Sequence, residues 1–132
     1  MTSIRRHKPV SVNAKRRGEI GHASRKPKEW GYLIMWEFQV RAGMEKRFER
    51  VYGPDGDWAR LFKPDQSYIG TELIQDLKAG RTFATLDFWT SQKAYEAFRN
   101  HHIAQYQALD RKCEEMTESE REIGKFVRIP SN

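Results

Sequence analysis

A single cysteine, Cys113, rules out a disulfide within the chain and fits a reducing compartment. Long apolar runs are missing too: none approaches the ~18 residues that a membrane-spanning helix needs, and no signal-type apolar stretch follows the basic start. The expectation is therefore a soluble, cytoplasmic protein with no membrane contact. Metal-ligand spacing is also lacking. His101 and His102 are adjacent, so on a helix they point about 100° apart and do not form a ligand pair. His7 and His22 sit in the first 28 residues, and no metal site is expected. Those 28 residues contain no aromatic side chain and no hydrophobic period.

The net charge of +6 is unevenly placed. Residues 1–28 carry nine Lys and Arg against one acid, Glu19, a net +8, whereas residues 29–132 carry fifteen against seventeen acids, a net −2. A segment so basic and so poor in apolar groups cannot offset its chain entropy by burial. Residues 1–28 are expected to be a disordered basic tail, and 29–132 the folded domain. Basic charge raises nucleic acid as a partner, but no rings interleave the tail's charges to stack on bases, which disfavours that reading.

What is abundant is ring: four Trp, five Tyr and seven Phe in 132 residues, enough for one domain. Residues 30–40 alternate Trp30, Tyr32, Ile34, Trp36, Phe38 and Val40 with Leu33, Met35, Glu37 and Gln39, the period of a strand with one fully buried face. Met44, Phe48, Val51 and Tyr52 then follow helical spacing up to Gly53-Pro54. Asp57 is placed to cap a short helix, and Trp58, Leu61 and Phe62 should plug or cover the domain. Two strands, 67–77 and 81–90, flank a glycine-containing turn. Ser91 should cap a long helix with the inward stripe Phe98, His102, Tyr106, Leu109, Cys113 and Met116. Thr117 with Glu120 has the form of a capping box for a short further helix, and 123–129 reads as a last strand ended by Pro130. The order is strand, helix, strand, strand, helix, strand: an α+β, ferredoxin-like βαββαβ domain with an antiparallel sheet. Its helices would cover one sheet face. The other face carries apolar residues that a second copy would cover, so a homodimer is expected.

Several segments carry a resemblance. WEFQV followed by Arg41-Ala42-Gly43, the GTELI strand, and LDFWTSQKAYEAFRNHH with Trp89, Ser91, Ala94, Tyr95 and Phe98 resemble the antibiotic biosynthesis monooxygenase family of dimeric α/β barrels. The similarity spans roughly residues 31–129, and the GPDGDWARLF insert resembles a poorly characterised bacterial subgroup. It implies a pocket between sheet and helices for a small planar molecule. It also implies, for some relatives, oxygenation of phenols or quinols without metal or flavin. The partners implied are a small aromatic compound and molecular oxygen, with no cofactor. A haem-degrading branch uses an asparagine on the first strand, then a tryptophan and a histidine on the second helix. Here Trp36 and Phe98 take the first two positions, and His101 and His102 lie out of register with the third, so haem degradation is disfavoured.

Cofactor-free oxygenation needs a base and an enclosed aromatic pocket. His102 suits the base by its ordinary pKa near neutrality, with a hydrogen-bonded core histidine as the structural alternative. Asp87, among Phe83, Thr85 and Trp89, is either a perturbed acid or the partner of an arginine such as Arg99. Trp36 and Trp89 are candidate walls for a planar ligand, with Phe98 and Tyr106 lining the site; each could equally be core. Two functions from different classes remain: a small-molecule monooxygenase acting on a phenolic or quinol-like compound, and a non-catalytic ligand-binding or stress-related dimer.

Overall fold

The computed structural model describes residues 29–131; the basic segment 1–28 lies outside the described residues. The elements are β1 (Tyr32–Val40), α1 (Glu45–Tyr52), α2 (Asp57–Phe62), β2 (Tyr68–Gln75), β3 (Thr82–Trp89), α3 (Gln92–His101) and α4 (Ile103–Cys113). A 3-10 turn, Glu114–Met116, leads into β4 (Thr117–Val127). The four strands form one sheet in the order β2-β3-β1-β4, every neighbour antiparallel. This is the α+β, ferredoxin-like arrangement.

Period-2 alternation in β1 sends Tyr32, Ile34, Trp36, Phe38 and Val40 inward, and all five are buried. On β3 the inner set is Phe83, Thr85, Asp87 and Trp89. Pairing sets Trp36 opposite Thr85 and Ile34 opposite Asp87. The helices lie over this face and close a core of Phe48, Tyr52, Trp58, Phe62, Phe98, Tyr106, Cys113 and Met116. The opposite sheet face leaves Leu33, Met35, Leu86 and Phe88 half-buried beside the exposed Phe126 and Ile74.

Three local expectations change. Gly56, not Asp57, occupies the N-cap of α2, and Asp57 is the first helical residue, paired with Arg60 at 3.0 Å. A side chain at Gly56 would collide with the carbonyl oxygens of Arg50 and Val51, so the turn between α1 and α2 requires glycine there. The long helix after Ser91 is two helices broken at His102, whose φ and ψ are −127° and 29°. His101 Nδ1 and His102 Nδ1 each bond a carbonyl four residues back, Ala97 O at 2.8 Å and Phe98 O at 2.9 Å. His102 N–H donates to both Phe98 O and Arg99 O, which tightens the last turn and redirects the chain. Lastly, Thr117 begins β4 instead of capping a helix. Thr117 pairs with Val40, and Met116 O accepts from Arg41 N at 3.0 Å, so β1 takes the backbone bonds that another helix would have used.

Candidate functional site

The chemistry-bearing side chains converge where β3 meets α3. Ser91 Oγ accepts the Ala94 N–H at 3.1 Å and sets the start of α3 directly after Trp89. This turns Tyr95 and Phe98 back over the sheet, with their rings 5.2 Å and 5.4 Å from Trp89. Into the same layer α2 inserts Phe62. Its ring lies 5.2 Å from Tyr68, 5.3 Å from Trp89, 5.8 Å from Phe98 and 5.9 Å from Tyr106. Four aromatic walls thus enclose a slot one ring in size, and Phe62 occupies it. Trp58 packs beside it, 5.6 Å from Tyr106 and 6.3 Å from Tyr52. Phe62, Trp89 and Tyr106 expose 0%, so no water-sized space borders their rings.

Asp87 sits one inward position along β3 from Trp89 and is 3% exposed. Thr71 Oγ1 donates to Asp87 Oδ1 at 2.7 Å, and Tyr68 Oη lies 2.6 Å from Thr71 Oγ1. Residues three apart on a regular strand face opposite ways. Here a register irregularity between Tyr68 and Gly70 lets both Tyr68 and Thr71 reach the inner layer. Sequence spacing did not mark Thr71, because the irregularity is set by pairing rather than composition. Arg99 is likewise fully buried on α3, its guanidinium carbon 5.6 Å from the Tyr106 ring centre. The alternation and helical period of the chain gave no notice of that burial.

The candidate residues divide into two groups. Trp89, Phe98 and Tyr106 meet around Phe62, with Asp87 alongside. His102 lies at the helix break, half-buried, stacked on Phe98 at 4.2 Å and 18°. A carbonyl oxygen can only accept, so His102 Nδ1 carries the hydrogen it shares with Phe98 O. Neutral, the ring keeps its acceptor at Nε2. Its ring contact is with Phe98, which itself touches Phe62 and Trp89. Trp36 lies two inner-face positions further along the sheet, opposite Thr85.

One thiol and two phenols of the core are held in neutral forms. Burial raises the Cys113 thiol to about 11, with Asp110 adding to the shift and a Tyr52 hydrogen bond opposing it. Burial likewise raises the phenols of Tyr52 and Tyr32. Among the described residues no group of three His, Cys, Asp or Glu side chains could hold a metal ion. An open groove of about 740 Å³ lies among α1, the following turn and α2, lined by Arg47, Arg50, Gly53, Asp57, Arg60 and Lys112. None of the candidate residues borders it.

No protein-family model matches the sequence, and no curated protein is significantly similar to it. Solved structures share the fold. A cofactor-independent oxygenase from Streptomyces nogalater, SnoaB, is 14% identical over 78% of this chain and 97% of its own, with a TM-score of 0.55. A protein from Bordetella bronchiseptica assigned as an antibiotic biosynthesis monooxygenase is 15% identical over 77% of this chain and 100% of its own, with a TM-score of 0.58. A dimeric ferredoxin-like protein from an uncultured marine organism is 12% identical over 80% and 93%, with a TM-score of 0.55. At such identities the similarity establishes the fold, which this chain shares with antibiotic biosynthesis monooxygenases.

Proposed function

We propose that this protein is a cofactor-independent monooxygenase for a phenolic or quinol-like aromatic compound, acting as a cytoplasmic homodimer. The observation that carries this reading is the slot around Phe62: four aromatic walls, a buried carboxylate one position away, and an occupant on a six-residue helix that a substrate ring can replace. Asp87 takes the substrate O–H proton. The anion gives one electron to oxygen, the radical pair joins at a ring carbon as a peroxide anion, and that anion takes up a proton to become a hydroperoxide. Its O–O bond then breaks, with loss of water, to leave a carbonyl, so one substrate and one O₂ give one quinone-type product and one H₂O. Enclosure by rings keeps water from the radical pair. Trp89, Phe98 and Tyr106 hold the substrate ring, Trp36 extends the wall along the sheet, and His102 Nε2 is a second base reached past Phe98. A second copy covers the apolar outer sheet face, and a sedimentation mass equal to the monomer at micromolar protein overturns that part.

Oxygen uptake with anthrone and hydroquinone tests the reaction. Uptake by the unaltered protein that falls by about a hundredfold or more in Asp87→Asn is the expected result. No uptake, or uptake unchanged in both Asp87→Asn and His102→Ala, overturns it. The complete burial of Phe62, Trp89 and Tyr106 favours a second reading, a non-catalytic ligand-binding dimer with a filled core. Binding of hydroquinone without oxygen consumption selects that reading.

A further inference from the structure

The hydrogen bonds behind Asp87 have a direction. Thr71 has one hydroxyl hydrogen and donates it to Asp87 Oδ1, so the hydrogen between Tyr68 Oη and Thr71 Oγ1 belongs to Tyr68. The chain reads Tyr68 to Thr71 to Asp87, every donor pointing at the buried carboxylate. Its inner end is 3% exposed and its middle 8%, while Tyr68 at the outer end is only half-buried. From the helices over this layer, α3 contributes the buried Arg99, and α4 contributes Tyr106 and Asp110. Tyr68 also belongs to the slot, since its ring lies against Phe62 while its hydroxyl joins the chain.

We propose that Tyr68 and Thr71 form a proton conduit between solvent and Asp87, which empties the carboxyl after each substrate deprotonation. The proposal rests on the reading of Asp87 as the base. When Asp87 is charged, it orients both hydroxyls inward. Once Asp87 has taken a proton that pull is gone, and the Thr71 hydroxyl turns towards Tyr68. The Asp87 proton then moves to Thr71 Oγ1, the Thr71 proton to Tyr68 Oη, and the Tyr68 proton to a water. One O–H bond breaks and one forms at each hydroxyl, and the net product is carboxylate plus hydronium. A carboxylate sealed behind rings without such a path could give up its proton only to the substrate peroxide.

A test that does not depend on substrate is the rate at which Asp87 equilibrates with solvent. Time-resolved infrared spectroscopy after a pH jump, on full-length protein with labelled aspartate carboxyls, follows the Asp87 band identified by its loss in Asp87→Asn. The band in Tyr68→Phe should respond about a hundredfold more slowly than in the unaltered protein, with the same final amplitude. Thr71→Ser should keep the original rate and Thr71→Val should lose it. A purely structural network would change amplitude or stability without this rate pattern. An Asp87 band as fast in Tyr68→Phe as in the unaltered protein, or one that never responds, overturns the conduit. A slowed band in a protein that consumes no oxygen leaves the conduit standing and removes only the oxygenase reading.

Discussion

The two ends of the layer between sheet and helices use the same residue types to different effect. At the α1 end Phe48 stacks on Tyr52 at 4.2 Å and 15°, and Phe38 and Phe83 each lie 5.2 Å from Phe48. Its polar atoms are matched, Tyr52 with Cys113 through a hydrogen bond. At the α3 end an equally dense set of rings surrounds Phe62, but it also encloses Asp87 and Thr71. Tyr32 Oη, Thr85 Oγ1 and Trp89 Nε1, all on inner strand positions, are buried there and further along the sheet without a hydrogen-bond partner among the described residues. Each such atom costs roughly 1–3 kcal/mol of desolvation. Packing alone has no use for that cost; a site that receives an oxygen-bearing ligand does. Equal burial therefore does not mean equal purpose, and the polar remainder separates the two ends.

Substitutions sharpen the contrast. Phe48→Ala and Phe62→Ala should each cost about 3–5 kcal/mol in urea unfolding, because both rings are fully enclosed. Saturating phenol should recover part of the loss for Phe62→Ala and none for Phe48→Ala. Equal recovery, or none in either, breaks the distinction. Thr71→Val should cost about 2 kcal/mol, since it removes one donor to the Asp87 carboxylate and one acceptor for Tyr68. Thr71→Ser should cost well under half of that in the same assay.

Cys113 gives the α1 end a pH signature. Its unfolded thiol ionises near 9 and its folded thiol near 11, so between those values the unfolded chain holds fewer protons. The stability from the neutral thiol is complete below about pH 9 and lost as pH rises through about 11, a fall of roughly 2–3 kcal/mol. Thermal unfolding across that window should flatten in Cys113→Ala. The smallest effect belongs to the link between strand and helix at the α3 end. Ser91→Ala removes the acceptor for Ala94 N–H and should cost about 1 kcal/mol, with Ser91→Asp restoring it.

The sheet was legible in the sequence because alternation in Tyr32–Val40 and in Phe83–Trp89 depends only on which residues avoid water. The Ser91 cap was legible because its bond is local. Expectations failed where distant pairing decides. Thr117 and Glu120 have helix-start chemistry, yet β1 claims that backbone for β4. His102 fitted a continuous stripe, but two imidazoles bonding back to carbonyls end the helix there. The slot was half legible: Trp89, Phe98 and Tyr106 follow from spacing, and Phe62 was read as a plug. Thr71 was hidden, because its inward turn depends on a step in register against β3.

That step gives the site a sensitivity that no residue exchange reveals. Between Tyr68 and Gly70 the strand gains one residue relative to its neighbour, Ile69. Were Ile69 drawn into the ladder as an ordinary paired residue, strict alternation would turn Tyr68 to the outer face while Thr71, Asp87 and every ring of the slot keep their identity. Strand pairing at one point is thus as much a part of this site as its side chains.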